Sequence, residues 1–205
     1  MDWLIHLDAD LVVVNKPAGL PSVPGRGPAL ADCAWTRVQA LAPDALVVHR
    51  LDMATSGLLL FARGAALQRA LSIAFAERRV HKRYEAIVDG APAEDEGRID
   101  LPLAADWPNR PRQQVDALRG KPSLTHWRVL AREGQRTRLA LAPLTGRSHQ
   151  LRVHAAAMGW PIVGDTLYGG PAAAAEPRLL LHACELRLVH PADGRPLHWV
   201  SPAPF

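Results

Sequence analysis

The chain has 205 residues, 48% hydrophobic and 21% charged, and 24 basic side chains against 20 acidic ones give a net charge of +4. A chain of this length buries about 70% of its unfolded surface on folding, so a stand-alone core is expected and collagen-like or wholly disordered readings are excluded. Cys33 and Cys184 are too few and too far apart for a disulfide scaffold or a paired-cysteine zinc site, which points to a reducing compartment.

The chain opens with acids at Asp2, Asp8 and Asp10, where a signal peptide needs a basic start. Uncharged stretches such as Val153 to Gly164 fall well short of the ~20 residues that span a bilayer. A soluble, cytoplasmic protein without membrane contact is therefore expected.

In chain order, short apolar runs between turn signals predict strands at 11–15, 45–48, 58–62, 84–88 and 178–183. The Pro/Gly-rich segment 19–28 reads as a surface loop near a site. Leu67, Leu71 and Phe75 recur at helical spacing, as do Leu151, Ala155 and Met158. The second helix is predicted to start between Thr145 and Ser148 and to stop at Gly159, with Pro161 just beyond. Strands from about 82 to 142 follow one another with no helix between them. The expected class is therefore α+β, with a mixed, largely antiparallel central sheet, flanking helices and loops, and one domain over 1–205. No repeat or internal boundary is visible.

Two stretches carry chemistry. In ALVVHRLDMATSGLLLFA (45–62), a polar loop is pinned between apolar strands, and Asp52 is the lone acid between Asp44 and Glu77. A carboxylate held partly out of water needs a cation or donors, and Arg50 is one candidate partner. A turn-capping Asp beside a solvated Arg fits the same spacing. In LAPLTGRSHQLRVHAAAMGW (141–160), Arg147, Gln150 and His154 fall on one face of the predicted helix, able to hold a carboxylate or phosphate. An ordinary solvated basic face remains the alternative. His149 and His154, five apart without an intervening Glu, do not make a zinc helix.

Basic runs at 77–85, 107–114 and 119–121 carry Tyr84 and Trp107 among their cations, and Arg outnumbers Lys 21 to 3. Basic residues interleaved with single aromatics suit RNA, where rings stack on unpaired bases. Each run alone also fits a solvated face.

HRLDMATSGLLLFA (49–62) resembles the signature loop of the RluA family of pseudouridine synthases. VNKPAGLPSVPG (14–25), HKRYEAIV (81–88) and LTGRSHQLRVHAAAMGWPIVGDTLYG (144–169) resemble further family blocks in the same order, over Leu7 to Pro202. LPLAADWPNRPRQ (101–113) and EPRLLLHACEL (176–186) are similar to the dual-specificity subgroup, which acts on large-subunit (23S) rRNA and the tRNA anticodon stem-loop.

The resemblance implies the pseudouridine synthase catalytic fold, and the N-terminal S4 RNA-binding domain of many relatives is not expected. It places the catalytic aspartate at Asp52, the active-site tyrosine at Tyr84, and at Arg147 the arginine that pairs with the aspartate. Arg50 matches the arginine that enters the RNA stack when the uridine leaves. Further RNA contacts are expected from His49, Thr55, Lys82, Arg110, Arg112 and Arg152. The implied reaction moves uracil from an N1 to a C5 attachment on ribose with nothing lost or added. It calls for no cofactor and no metal. The expected partner is structured RNA, rRNA and/or tRNA stem-loops, bound by a monomer. Two alternatives stand beside this reading: a base-excising glycosidase, which needs a second acid, and a non-catalytic RNA-binding module.

Overall fold

A computed structural model describes residues 3–25, 27, 30–170 and 176–205; residues 26 and 28 of the loop expected at 19–28 lie outside them. In chain order the strands and helices are β1 (Leu4–Leu7), β2 (Leu11–Lys16), α1 (Ala34–Gln39), β3 (Ala45–Val47), β4 (Ser56–Arg63), α2 (Ala65–Ala76) and β5 (His81–Asp89). There follow β6 (Glu96–Asp100), β7 (Leu103–Ala105), β8 (Gln113–Val115), β9 (Leu124–Glu133), β10 (Arg136–Pro143), α3 (Gln150–Ala157), β11 (Leu181–Val189) and β12 (Pro196–Val200). The α+β class expected from the sequence is the class observed, with mixed strand directions and few helices. The chain divides into two compact units, Met1–Lys82 with His182–Pro204, and Arg83–Leu181 with Phe205.

In the first unit β4 is central. It runs antiparallel to β2, with Leu11 opposite Ala62 and Lys16 opposite Gly57, antiparallel to β3, and parallel to β11. β1 extends the sheet from β2, and β12 pairs antiparallel with β11. The unbroken apolar run of β4 follows from burial on both faces. On one face Leu58, Leu60 and Ala62 meet Leu11, Val13, Leu186 and Leu188, and Leu71 and Ala74 of α2 close over them. Gly57 has φ +114, and a Cβ there would lie 2.4 Å from the carbonyl oxygen of Ala183, so only glycine lets β11 approach at the start of β4.

In the second unit the strand order is β5-β10-β9-β6, all antiparallel. β10 alternates buried Thr137, Leu139 and Leu141 with more exposed Arg136, Arg138 and Ala140, a period of two that buries one face of the strand. β7 and β8 form a separate hairpin, and a 3-10 turn at Trp107–Asn109 lies within its connection.

The predicted strands at 11–15, 45–48, 58–62 and 84–88 are present, as is the helix around Leu67 to Phe75. Two boundaries differ, and one helix is not predicted. The strand predicted at 178–183 lies at Leu181–Val189, because buried Glu185 interrupts the apolar run without ending the strand; Arg187 and His198 bind its carboxylate. α3 begins at Gln150 and not within 145–148, since His149 adopts a left-handed φ of 55 that ends any helical run before it. α1 has no predicted counterpart; Cys33 and Thr36 cap it reciprocally.

Candidate active site

In the first unit Asp52 lies half-buried in the loop between β3 and β4. The backbone on each side of it is held by the loop after β2. The Ser22 hydroxyl donates to the carbonyl of Leu51 at 2.7 Å and accepts from the Leu51 N–H at 3.0 Å. The ammonium of Lys16 donates to the carbonyls of Leu20 (2.8 Å), Pro17 (3.0 Å) and Met53 (3.1 Å), and the N–H of Gly19 also reaches Met53. Lys16 is 0% exposed, so these carbonyls receive a cation shielded from water. The carbonyl of Asp52 itself accepts from the N–H of Thr55, closing a tight turn. A carboxylate on a loop fixed at both neighbours is positioned before any substrate arrives.

Other residues of this loop divide by exposure. Arg50 is exposed beside Asp52. Thr55 is buried, so its side chain offers nothing to a surface ligand. His49 turns inward: its Nε2 accepts from the N–H of Leu60 at 3.0 Å, and its ring stacks on Phe75 with centroids 4.5 Å apart. Burial, helped by the charge of Lys82, pushes its pKa down to about 3, so the ring is neutral. Burial also holds the Lys82 ammonium below the ordinary lysine range.

In the second unit Tyr84 is half-buried on β5, opposite Leu141 of β10. The TGR turn follows β10. There the Arg147 side chain is exposed, with Nε donating to the Pro122 carbonyl at 3.4 Å, while its N–H donates to Oε1 of Gln150 at 3.1 Å. Gln150 organises the turn: Oε1 also accepts from the Thr145 hydroxyl, and Nε2 donates to Leu124 and Thr125 of β9. At the left-handed residue His149, Nδ1 is hydrogen-bonded to the Tyr168 hydroxyl at 2.7 Å, which also accepts from the N–H of Gln113 on β8.

The face expected to combine Arg147, Gln150 and His154 does not form. Arg147 precedes the helix, whereas Gln150 and His154 are buried on the interior side. His154 Nε2 donates to the Leu101 carbonyl, Nδ1 bonds the Thr125 hydroxyl, and burial lowers its pKa. Arg152, expected on RNA, is also buried and makes two 2.7 Å bonds to the carboxylate of Asp165. Burial works to raise the Asp165 pKa, but the Arg152 hydrogen bond and charge and the N–H groups of Leu167 and Tyr168 hold it below the ordinary range. The guanidinium is thereby committed to the interior. Arg110 and Arg112 are exposed, the former 3.4 Å from the centre of the Trp107 ring and the latter 5.4 Å from that of Tyr168.

Residues 10–157 match the model of the family described as RNA pseudouridylate synthase. This chain belongs to that family. The synthase is 50% identical over 204 residues to the dual-specificity RNA pseudouridine synthase RluA of Yersinia pestis, covering 98% of this chain and 99% of the relative. It is 48% identical over 201 residues to the protein of that name from Vibrio cholerae, covering 97% and 80% of the two chains. Among solved structures, human RNA pseudouridylate synthase domain containing 1 superposes with a TM-score of 0.81 at 31% identity, covering 99% of this chain and 84% of that one.

Sequence reasoning passed over Lys16, Ser22, Gln150 and Tyr168 as organisers of the synthase. Lys16 left a signal, a cation closing a strand whose first four residues are buried Leu and Val. Ser22 and Tyr168 left none outside the family blocks, since Ser22 meets the backbone of Leu51 and Tyr168 meets the Gln113 N–H and the His149 ring, all far along the chain.

Proposed function

We propose that this synthase converts uridine to pseudouridine in structured RNA, in large-subunit rRNA and/or tRNA anticodon stem-loops, with Asp52 as catalytic carboxylate. The observation that carries the assignment is the bracing of Leu51 and Met53 on either side of a half-buried Asp52. The reaction cleaves ribose C1′ from uracil N1, turns the base and joins C1′ to C5; the C5 proton leaves and N1 gains one. Electrons and atoms balance without a redox partner, so side chains suffice.

In this reading Asp52 acts at the sugar, as nucleophile at C1′ or as base at C2′. Arg147 keeps that carboxylate charged, and Tyr84 stacks on the base and is the candidate acceptor of the C5 proton. Arg50 takes the place of the everted uridine in the RNA stack, offsetting part of the few kcal/mol that eversion costs. The exposed Arg110 and Arg112 contact phosphates, making binding salt-sensitive. The two units serve as one catalytic domain in a cytoplasmic monomer. Among the described residues no helix is long and apolar enough to cross a membrane.

The test is Asp52→Asn. It is expected to bind a stem-loop RNA like the unaltered protein and to form no pseudouridine by chemical mapping. Undiminished product removes Asp52 from catalysis, and release of free uracil from the unaltered protein favours a base-excising glycosidase.

A further inference from the structure

The connection of the β7–β8 hairpin presents an indole to solvent. Trp107 is 66% exposed, and the Arg110 guanidinium covers one face of its ring at 3.4 Å. Leaving so large an apolar surface in water is unfavourable, and a stacked arginine shields only one side of it.

The surrounding turn is cross-braced by hydrogen bonds. The Asp106 carboxylate accepts two bonds from the Asn109 amide at 3.0 and 3.1 Å, and its N–H donates to the Arg112 carbonyl at 3.0 Å. The Arg112 N–H donates in turn to the Asn109 carbonyl at 3.0 Å, and the next residue, Gln113, is tied to the Tyr168 hydroxyl. Little conformational entropy is left to lose when a ligand docks on such a turn. Asp106, the acid at its start, is occupied by Asn109, and Arg110 and Arg112 remain on the exposed side. An open aromatic face, a planar cation stacked beside it and a second arginine close by suit a nucleobase with its phosphate.

We propose that Trp107 and Arg110 form a stacking subsite for an unpaired base of the RNA substrate, a nucleotide other than the one that reacts. The proposal rests on the RNA-modifying reading above and adds a determinant of which RNA is held. The subsite contributes to binding and is separate from bond making at the uridine. Stacking tolerates any base, so it selects RNAs by where an unpaired nucleotide stands relative to the target.

The test compares the unaltered protein with Trp107→Ala and Trp107→Phe on an anticodon stem-loop RNA. Conversion is followed by pseudouridine formation, and Kd is measured for each of the three in an Asp52→Asn background. Trp107→Ala is expected to raise KM and Kd between about fivefold and a hundredfold, with kcat changed by less than about twofold. Trp107→Phe retains most of the affinity. Replacing each unpaired loop nucleotide in turn by an abasic one identifies the stacked position: its loss weakens binding when Trp107 is present and leaves Trp107→Ala unaffected. Unchanged Kd in Trp107→Ala overturns the subsite, as does additivity of that substitution with every abasic change. Absence of product from the unaltered protein, with the abasic coupling intact, overturns the isomerase reading and leaves the subsite standing.

Discussion

The Tyr168 hydroxyl stands 2.7 Å from Nδ1 of His149 and 2.7 Å from the backbone nitrogen of Gln113. One oxygen therefore joins the turn carrying Arg147 to the strand that leaves the Trp107–Arg112 connection. His149 needs such a tether, because a non-glycine residue at φ 55 occupies a conformation that costs about a kcal/mol or more.

Tyr168→Phe keeps the ring beside Arg112 and Arg152 and removes both bonds. The Gln113 N–H loses its acceptor, and the expected cost is about 1 to 3 kcal/mol, a fall of several degrees in Tm by calorimetry. Loosening the Arg147 turn is expected to lower kcat roughly tenfold, and loosening the hairpin to raise KM. A variant that loses stability with unchanged kcat would show that His149 holds its conformation without the tether.

Lys16 is expected to affect activity without touching substrate. In Lys16→Met the carbonyls of Pro17, Leu20 and Met53 lose a buried charged donor. About 2 to 4 kcal/mol of stability should go with it, read from the midpoint of urea unfolding at unchanged m. The bracing of Met53 weakens at the residue after Asp52, so kcat is expected to fall at temperatures where the variant is still fully folded. Unchanged turnover there would mean that Ser22 and Gly19 suffice to fix the loop.

Much of this arrangement was legible in the residues. The strands around Asp52 announce themselves because β4 is buried on both faces and reads as one apolar run, and the isolation of the acid between Asp44 and Glu77 marks the loop. The helix after TGR was harder. Hydrophobic spacing does not register a left-handed residue such as His149, so it predicts too early a start and sets Arg147 on a face with Gln150 and His154. Arg152 misled for a different reason. A charge on a basic segment reads as solvated unless its partner is known, and Asp165, thirteen residues on, is visible as that partner only once the chain has turned back. His49 and Thr55 share the lesson: in a motif rich in polar residues, some serve the ligand and others hold the loop, and the inward bond of His49 and the burial of Thr55 separate them.

The distinction has a pH signature at His49. Its Nε2 accepts the Leu60 N–H, so protonation would break that bond and charge a ring stacked on Phe75. The ordinary histidine value of 6.5 applies to the unfolded chain, and the folded ring titrates at about 3. Well above 6.5 the ring is neutral in both states and its titration contributes nothing to the pH dependence. Between 6.5 and 3 the unfolded chain binds the extra proton, so stability declines as pH falls, by up to about 1.4 kcal/mol per pH unit. His49→Gln, whose amide oxygen can still accept from Leu60, is expected to flatten that decline, leaving the part due to His154, shifted in the same direction. Asp165 has a depressed pKa, so its contribution is present above 3.8 and is lost only as pH falls below it; urea midpoints taken from pH 4.5 to 8 isolate the histidines. Parallel profiles for the two proteins would mean that His49 takes up a proton as readily in the folded chain as in the unfolded one, and would return its ring to the groups able to meet an RNA phosphate.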